Sequence, residues 1–107
     1  MTVREILARL RDIAAEEATI GGEACALQSW LRARHPESTN HVINLLTHLI
    51  PEINVERRRL RALIRKLEGK DGNTVCDESW DSVVSLPATR LLRYRASLEH
   101  ARQNKYD

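Results

Sequence analysis

Apolar residues recur along this chain at helical spacing, and nowhere do they alternate with period two for long enough to argue for a strand. Val3, Ile6, Leu7, Leu10, Ile13 and Ala14 fall within a stripe about 120° wide. Thr2 precedes them and Glu5 follows three residues later, the spacing of a capping box. Together these features predict a helix over 3–19. Gly21-Gly22 is expected to end it, because paired glycines make a left-handed break inexpensive. A second helix over 23–34 carries Ala24, Leu27 and Leu31 on one face, with Trp30 beside them. His35-Pro36 stops it, since a residue before proline avoids the α region. The loop over 36–40 supplies Ser38 or Thr39 as the next cap.

In the 40–50 segment, Val42, Ile43, Leu45, Leu46, Leu49 and Ile50 cover an arc of about 160°. The face left over holds His41, Asn44, Thr47 and His48, with no Lys, Arg, Asp or Glu. Pro51 is expected to break this helix and seat the next. Over 52–68, Ile53, Leu60, Leu63, Ile64 and Leu67 form a narrower stripe of about 100°, close to a coiled-coil seam. Gly69 to Asn73 reads as a loop. Asp77 can cap a short helix over 78–85, and Leu86-Pro87 separates it from a last helix over 87–103 carrying Leu91, Tyr94, Leu98 and Ala101. The pattern as a whole predicts an all-α fold. A single small domain over 1–103 holds five or six helices in a bundle-like arrangement, open to dimerisation, and a polar tail over 104–107 frays.

Composition narrows this picture. A chain of 107 residues fits one domain. Leu, Ile and Val together are abundant enough to build a core, which argues against disorder, and the absence of Phe makes that core aliphatic. No apolar run approaches the roughly 18 residues that span a bilayer. The first residues, Met-Thr-Val-Arg-Glu-Ile-Leu, lack the apolar stretch of a secretory signal. A cytoplasmic location is therefore expected, with Cys25 and Cys76 as free thiols, one or both buried. Cys25 lies between Ala24 and Ala26, which suggests a helix-packing position.

The chain carries no recognisable catalytic constellation. His41 and His48 are seven residues apart, roughly 10 Å along a helix axis. They cannot share one zinc ion, whose ligands sit about 2 Å away. Neither a GxSxG elbow nor a phosphate-binding glycine loop occurs. Paired acids at Glu16-Glu17 and Asp77-Glu78 suit helix surface and capping. Glu17 is the odd member: it falls inside the apolar stripe, at a boundary or facing an arginine from the 52–68 helix. Residues 85–95 superficially follow the order of a turn and a recognition helix. However, no glycine occupies the turn, and Val83-Val84 stands where a small residue is usual. No catalytic residue, metal or cofactor is expected, and the chain does not read as an enzyme.

Two features point to binding. Net charge is only +2, but between 57 and 70 the chain has Arg57, Arg58, Arg59, Arg61, Arg65, Lys66 and Lys70 against Glu68 alone. Such a face can be solvated or paired with Glu16, Glu52, Glu56 or Glu68; it can meet an acidic protein; or it can neutralise phosphates. Near-neutral overall charge favours protein over nucleic acid. The 40–50 helix is the other feature, because a wide apolar arc with an uncharged remainder marks either an interface core or the central helix of a domain. The expected function is a small regulatory protein that binds another protein, of the stoichiometric inhibitor or antiactivator kind, acting on a transcription regulator or similar partner, and working as a homodimer. The expected contacts are Val42, Ile43, Leu46 and Ile50, with Arg58, Arg61 and Arg65 supplying charge. The alternative is a nucleic-acid-binding regulator using the basic 57–70 segment or the 87–103 helix.

Overall fold

The computed structural model describes residues 1–35 and 40–105. Its architecture is three long helices: α1 (Val3–Arg34), α2 (His41–Glu68) and α3 (Ser79–Gln103). The all-α expectation stands, but the number of five or six helices is corrected to three. The outer boundaries lie close to where sequence places them. The three internal breaks, at Gly21-Gly22, Pro51 and Leu86-Pro87, do not exist, and the chain is helical through each.

The physical reason is a seam that keeps its phase through every supposed breaker. In α1 it runs Val3, Ile6, Leu10, Ile13, Glu17, Ile20, Ala24, Leu27, Leu31. In α2 it runs Val42, Leu46, Leu49, Ile53, Glu56, Leu60, Leu63, Leu67. In α3 it runs Trp80, Val84, Pro87, Leu91, Tyr94, Leu98, Ala101. Steps of three and four alternate without a slip, the spacing of coiled-coil packing. All of these side chains are buried except Leu27, Leu63 and Trp80, which are half-buried. A break at any of the three points would rotate one half of a helix out of register with the other.

The breakers are weak against this. No glycine has positive φ, so Gly21 and Gly22 are ordinary helical residues. A glycine inside a helix costs about 1 kcal/mol relative to alanine, and a proline costs about 3 kcal/mol. Fully burying one seam leucine contributes about 1.5–3 kcal/mol. Pro51 removes the amide that would bond the Thr47 carbonyl, but both residues are exposed, so water can reach that carbonyl. Pro87 is itself buried in the seam. Gly21 is buried where α1 meets α2, and a Cβ there would lie 3.5 Å from Ile53 Cγ2. Gly22 faces open space. Gly22→Ala should therefore stabilise the protein by about 1 kcal/mol, read as a higher urea midpoint. A loss of stability would return the break to Gly22.

The loops tie the ends. Thr2 Oγ1 accepts the Glu5 amide. The amides of Val3 and Arg4 donate to the carbonyls of Thr74 and Gly72, at 2.9 and 3.0 Å. Thr2 and Val75 form an isolated antiparallel bridge, and the Cys76 amide donates to the Met1 carbonyl. The first amides of α1, which a helix cannot satisfy itself, are thus bonded by the α2–α3 loop. Asn40 Oδ1 caps α2 by accepting the Val42 amide at 2.7 Å; Ser38 and Thr39 lie outside the described residues. Asp77 accepts both the amide and the hydroxyl of Ser79 at the start of α3, and those bonds hold its carboxyl below the usual range. At the other end Asn104 Nδ2 donates to the His100 carbonyl and Lys105 lies over the Trp30 ring. Tyr106 and Asp107 lie outside the described residues. The molecule measures 54 × 20 × 15 Å. No described helix is long and apolar enough to cross a membrane.

Candidate functional site

Two positions of the apolar seam hold carboxylates. Glu17 of α1 has no exposed surface and Glu56 of α2 is 3 % exposed. Glu56 is provided for: Arg90 Nη1 from α3 donates to both its oxygens, at 3.1 and 2.9 Å. Neither oxygen of Glu17 has a hydrogen-bond partner. Burial, and then the charge of Glu56, push the Glu17 carboxyl up to about 7, while Arg57 and Arg90 pull it down. The bundle therefore has a polar layer made from all three helices, with one acid paired and the other not.

Outside the seam, charges lock the helices. Arg95 of α3 bonds Glu16 of α1, and Arg102 bonds Glu23, each pair 79 residues apart. The equal separation shows that α1 and α3 run parallel with their heptads in step. Arg93 bonds Glu52 at 3.1 Å across the antiparallel α2–α3 side, and its guanidinium lies over the ring of buried Tyr94. Burial raises the Tyr94 phenol above its ordinary pKa, partly offset by a bond from Arg93. Arg11 of α1 bonds Glu68 of α2 at 2.7 Å.

These pairs decide the state of the basic segment. Glu16, Glu52, Glu56 and Glu68 were the acids expected to pair with its arginines. They are held instead by Arg95, Arg93, Arg90 and Arg11. Arg58, Arg61 and Arg65 are exposed, and among the described residues none has an ion pair. Arg57, half-buried, stands between them and the polar layer. Two adjoining depressions follow this face. One of about 210 Å³ lies in the α1–α2 groove, lined by Ala14, Arg57, Arg61, Ile64, Arg65 and Glu68. The other, of about 240 Å³, is lined by Asn54, Arg57, Arg58 and Arg61.

The expected aliphatic contacts are placed differently. Val42 and Leu46 have no exposed surface, Ile43 has 8 %, and Ile50 is half-buried. The wide arc of the 40–50 segment is the start of α2 packing on both of its neighbours. Of that arc, Val42, Ile43, Leu46 and Leu49 are buried, and Leu45 and Ile50 are half-buried. Arg58, Arg61 and Arg65 are brought onto one face, away from Val42, Ile43 and Leu46. Cys25 is exposed rather than packed, because Ala24 takes the seam, and Cys76 is half-buried; both are free thiols. The His41 ring meets His100 of α3 edge-on at 6.2 Å. Among the described residues no group of three or more His, Cys, Asp and Glu could hold a metal ion.

Sequence reasoning offered Glu56 only as a partner for the basic segment and missed both its place in the seam and its pairing with Arg90. That place could have been found, because Glu56 sits in phase with Leu49 and Leu63. Arg90 is 34 residues away and carries no local signal of that pairing. No protein-family model matches the chain, and comparison with curated proteins and with solved structures returns no match.

Proposed function

We propose that the protein is a non-catalytic regulatory module that acts by binding another protein, of the stoichiometric inhibitor or antiactivator kind. Its recognition surface in this reading is the outer face of α2 around Arg58, Arg61 and Arg65. One observation carries it: Glu16, Glu52, Glu56 and Glu68, the acids expected to neutralise this face, are engaged by arginines of α1 and α3. A cluster of like charges left open on a folded surface repels itself and favours a partner of opposite sign. Charges of this kind set on-rate and orientation, while apolar contacts beside them set affinity.

The test is a triple reversal, Arg58→Glu, Arg61→Glu and Arg65→Glu, compared with the wild-type chain on a native lysate. Because these side chains are exposed, the variant should melt within a few degrees of the wild type. It should lose one protein that the wild type retains in stoichiometric amount. Retention of that same protein by the variant sinks the reading. The run of seven bases against one acid between 57 and 70 also favours a second reading, binding to nucleic acid. That reading expects duplex DNA to be retained at low salt and lost steeply as salt rises.

A further inference from the structure

We propose that the groove between α1 and α2 receives an amphipathic α-helix of another protein, with aspartate or glutamate at four-residue spacing laid along Arg57, Arg61 and Arg65. This rests on the binding role assigned above to that face and names its occupant. The α1–α3 side carries a depression of about 340 Å³, but Glu16–Arg95 and Glu23–Arg102 bridge it and pair its charges, and on the α2–α3 side Glu52–Arg93 and Glu56–Arg90 do the same across one of about 490 Å³. The α1–α2 side is built otherwise. Among the described residues it is bridged only near its ends, by Arg11–Glu68 and by Gln28 bonding Thr47. Between them the positions beside the seam are Ala14 and Gly21 from α1, and Ile50, the half-buried Arg57 and Ile64 from α2.

Small residues on α1 keep that wall low, so the floor of Ala14 and half-buried Ile64 stays open beneath the arginines. A floor of this kind suits the apolar stripe of a helix and offers nothing to a phosphate backbone. The charges match a helix as well. Arg57, Arg61 and Arg65 are one helical turn apart, about 6 Å per step at 1.5 Å per residue. Carboxylates at i, i+4 and i+8 on a helix lying alongside have the same repeat. The arginine fork can hold each of them by two parallel bonds. The occupant becomes a fourth helix, with apolar residues on Ala14 and Ile64 and acids against α2.

The probe is a labelled synthetic peptide of about 20 residues, long enough to sustain a helix, with glutamate at every fourth position beside leucine and alanine. It is titrated into the full chain and followed by fluorescence anisotropy and by amide shifts. The glutamate peptide should bind, with shifts clustered at Ala14, Arg57, Arg61 and Ile64. Arg61→Glu with Arg65→Glu should weaken it at least tenfold and should take up a peptide with lysine in place of glutamate. No binding of the glutamate peptide, equal binding of both peptides, shifts at the α1–α3 side, or tighter binding of duplex DNA would each overturn the proposal. The two levels separate cleanly. If the triple reversal loses its protein from lysate but the peptide fails, the surface stands and the helical occupant falls. If the reversal retains that protein, the surface itself is misassigned and the occupant goes with it.

Discussion

Replacing Glu17 by leucine should stabilise the protein by about 3 kcal/mol at pH 8, and by much less at pH 5. Glu17 is wholly buried in the seam with no hydrogen-bond partner, and its carboxyl titrates near 7 instead of 4.5. A carboxyl whose folded-state pKa is raised is bound more tightly to its proton in the folded chain than in the unfolded one. Its contribution to stability is therefore present in full below pH 4.5, is lost as pH rises through 7, and is absent above that. The separation of the two values corresponds to about 3 kcal/mol. The groups facing Glu17 are Glu56 and Arg57 from α2 and Arg90 from α3. Desolvation, the first cause, outweighs the two arginines. Leucine at this position restores the aliphatic seam and removes the ionisation together. Glutamine should remove the same slope while leaving an unpartnered polar group, so it gains less. Urea titrations of the three proteins at pH 5 and pH 8 measure this. A wild-type stability that does not fall between those values, or a leucine variant weaker at pH 8, refutes it.

The second large effect lies at Leu46. Leu46→Asp should abolish cooperative folding, and Ile43→Asp should come close to doing so. Leu46 has no exposed surface and Ile43 has 8 %. A carboxylate placed there loses a buried side chain and leaves a charge without a partner, together about 5 kcal/mol or more. That is comparable with the whole stability of a small domain. Circular dichroism should show helicity collapsing at 25 °C. Had these residues formed a binding surface, helicity would survive and only partner binding would be lost. A well-folded Leu46→Asp protein would therefore restore the aliphatic docking surface and remove Leu46 from the core.

Element type and outer boundaries were readable because local signals act there alone. Thr2 caps α1, Gly69 ends α2 and Asp77 bonds Ser79 at the start of α3. The internal boundaries were misread because glycine and proline were weighed as local punctuation. Gly21, Pro51 and Pro87 each sit inside a 3–4 repeat that continues on both sides in the same phase. A penalty of about 1–3 kcal/mol cannot stop a helix whose two halves are both anchored in one core. Reading each segment separately hid that continuity, and it made the first turns of α2 look like an unpartnered apolar face. The charged face fared better. Arg58, Arg61 and Arg65, at steps of three and four, are exposed on one face of α2. Whether they were already neutralised depended on Arg90, Arg93 and Arg95, which reach across from another helix. Such pairings follow from the parallel and antiparallel registers of three helices, and those registers exist only once the bundle has assembled.

The elongated outline has a hydrodynamic consequence. The radius of gyration is 16.7 Å, whereas a compact domain of that radius holds about 200 residues, nearly twice the length of this chain. On a sizing column calibrated with globular standards, a single copy will elute close to where a compact dimer would. Retention volume alone would then report an association that shape suffices to produce. Scattering mass, which does not depend on shape, is the quantity that counts the copies.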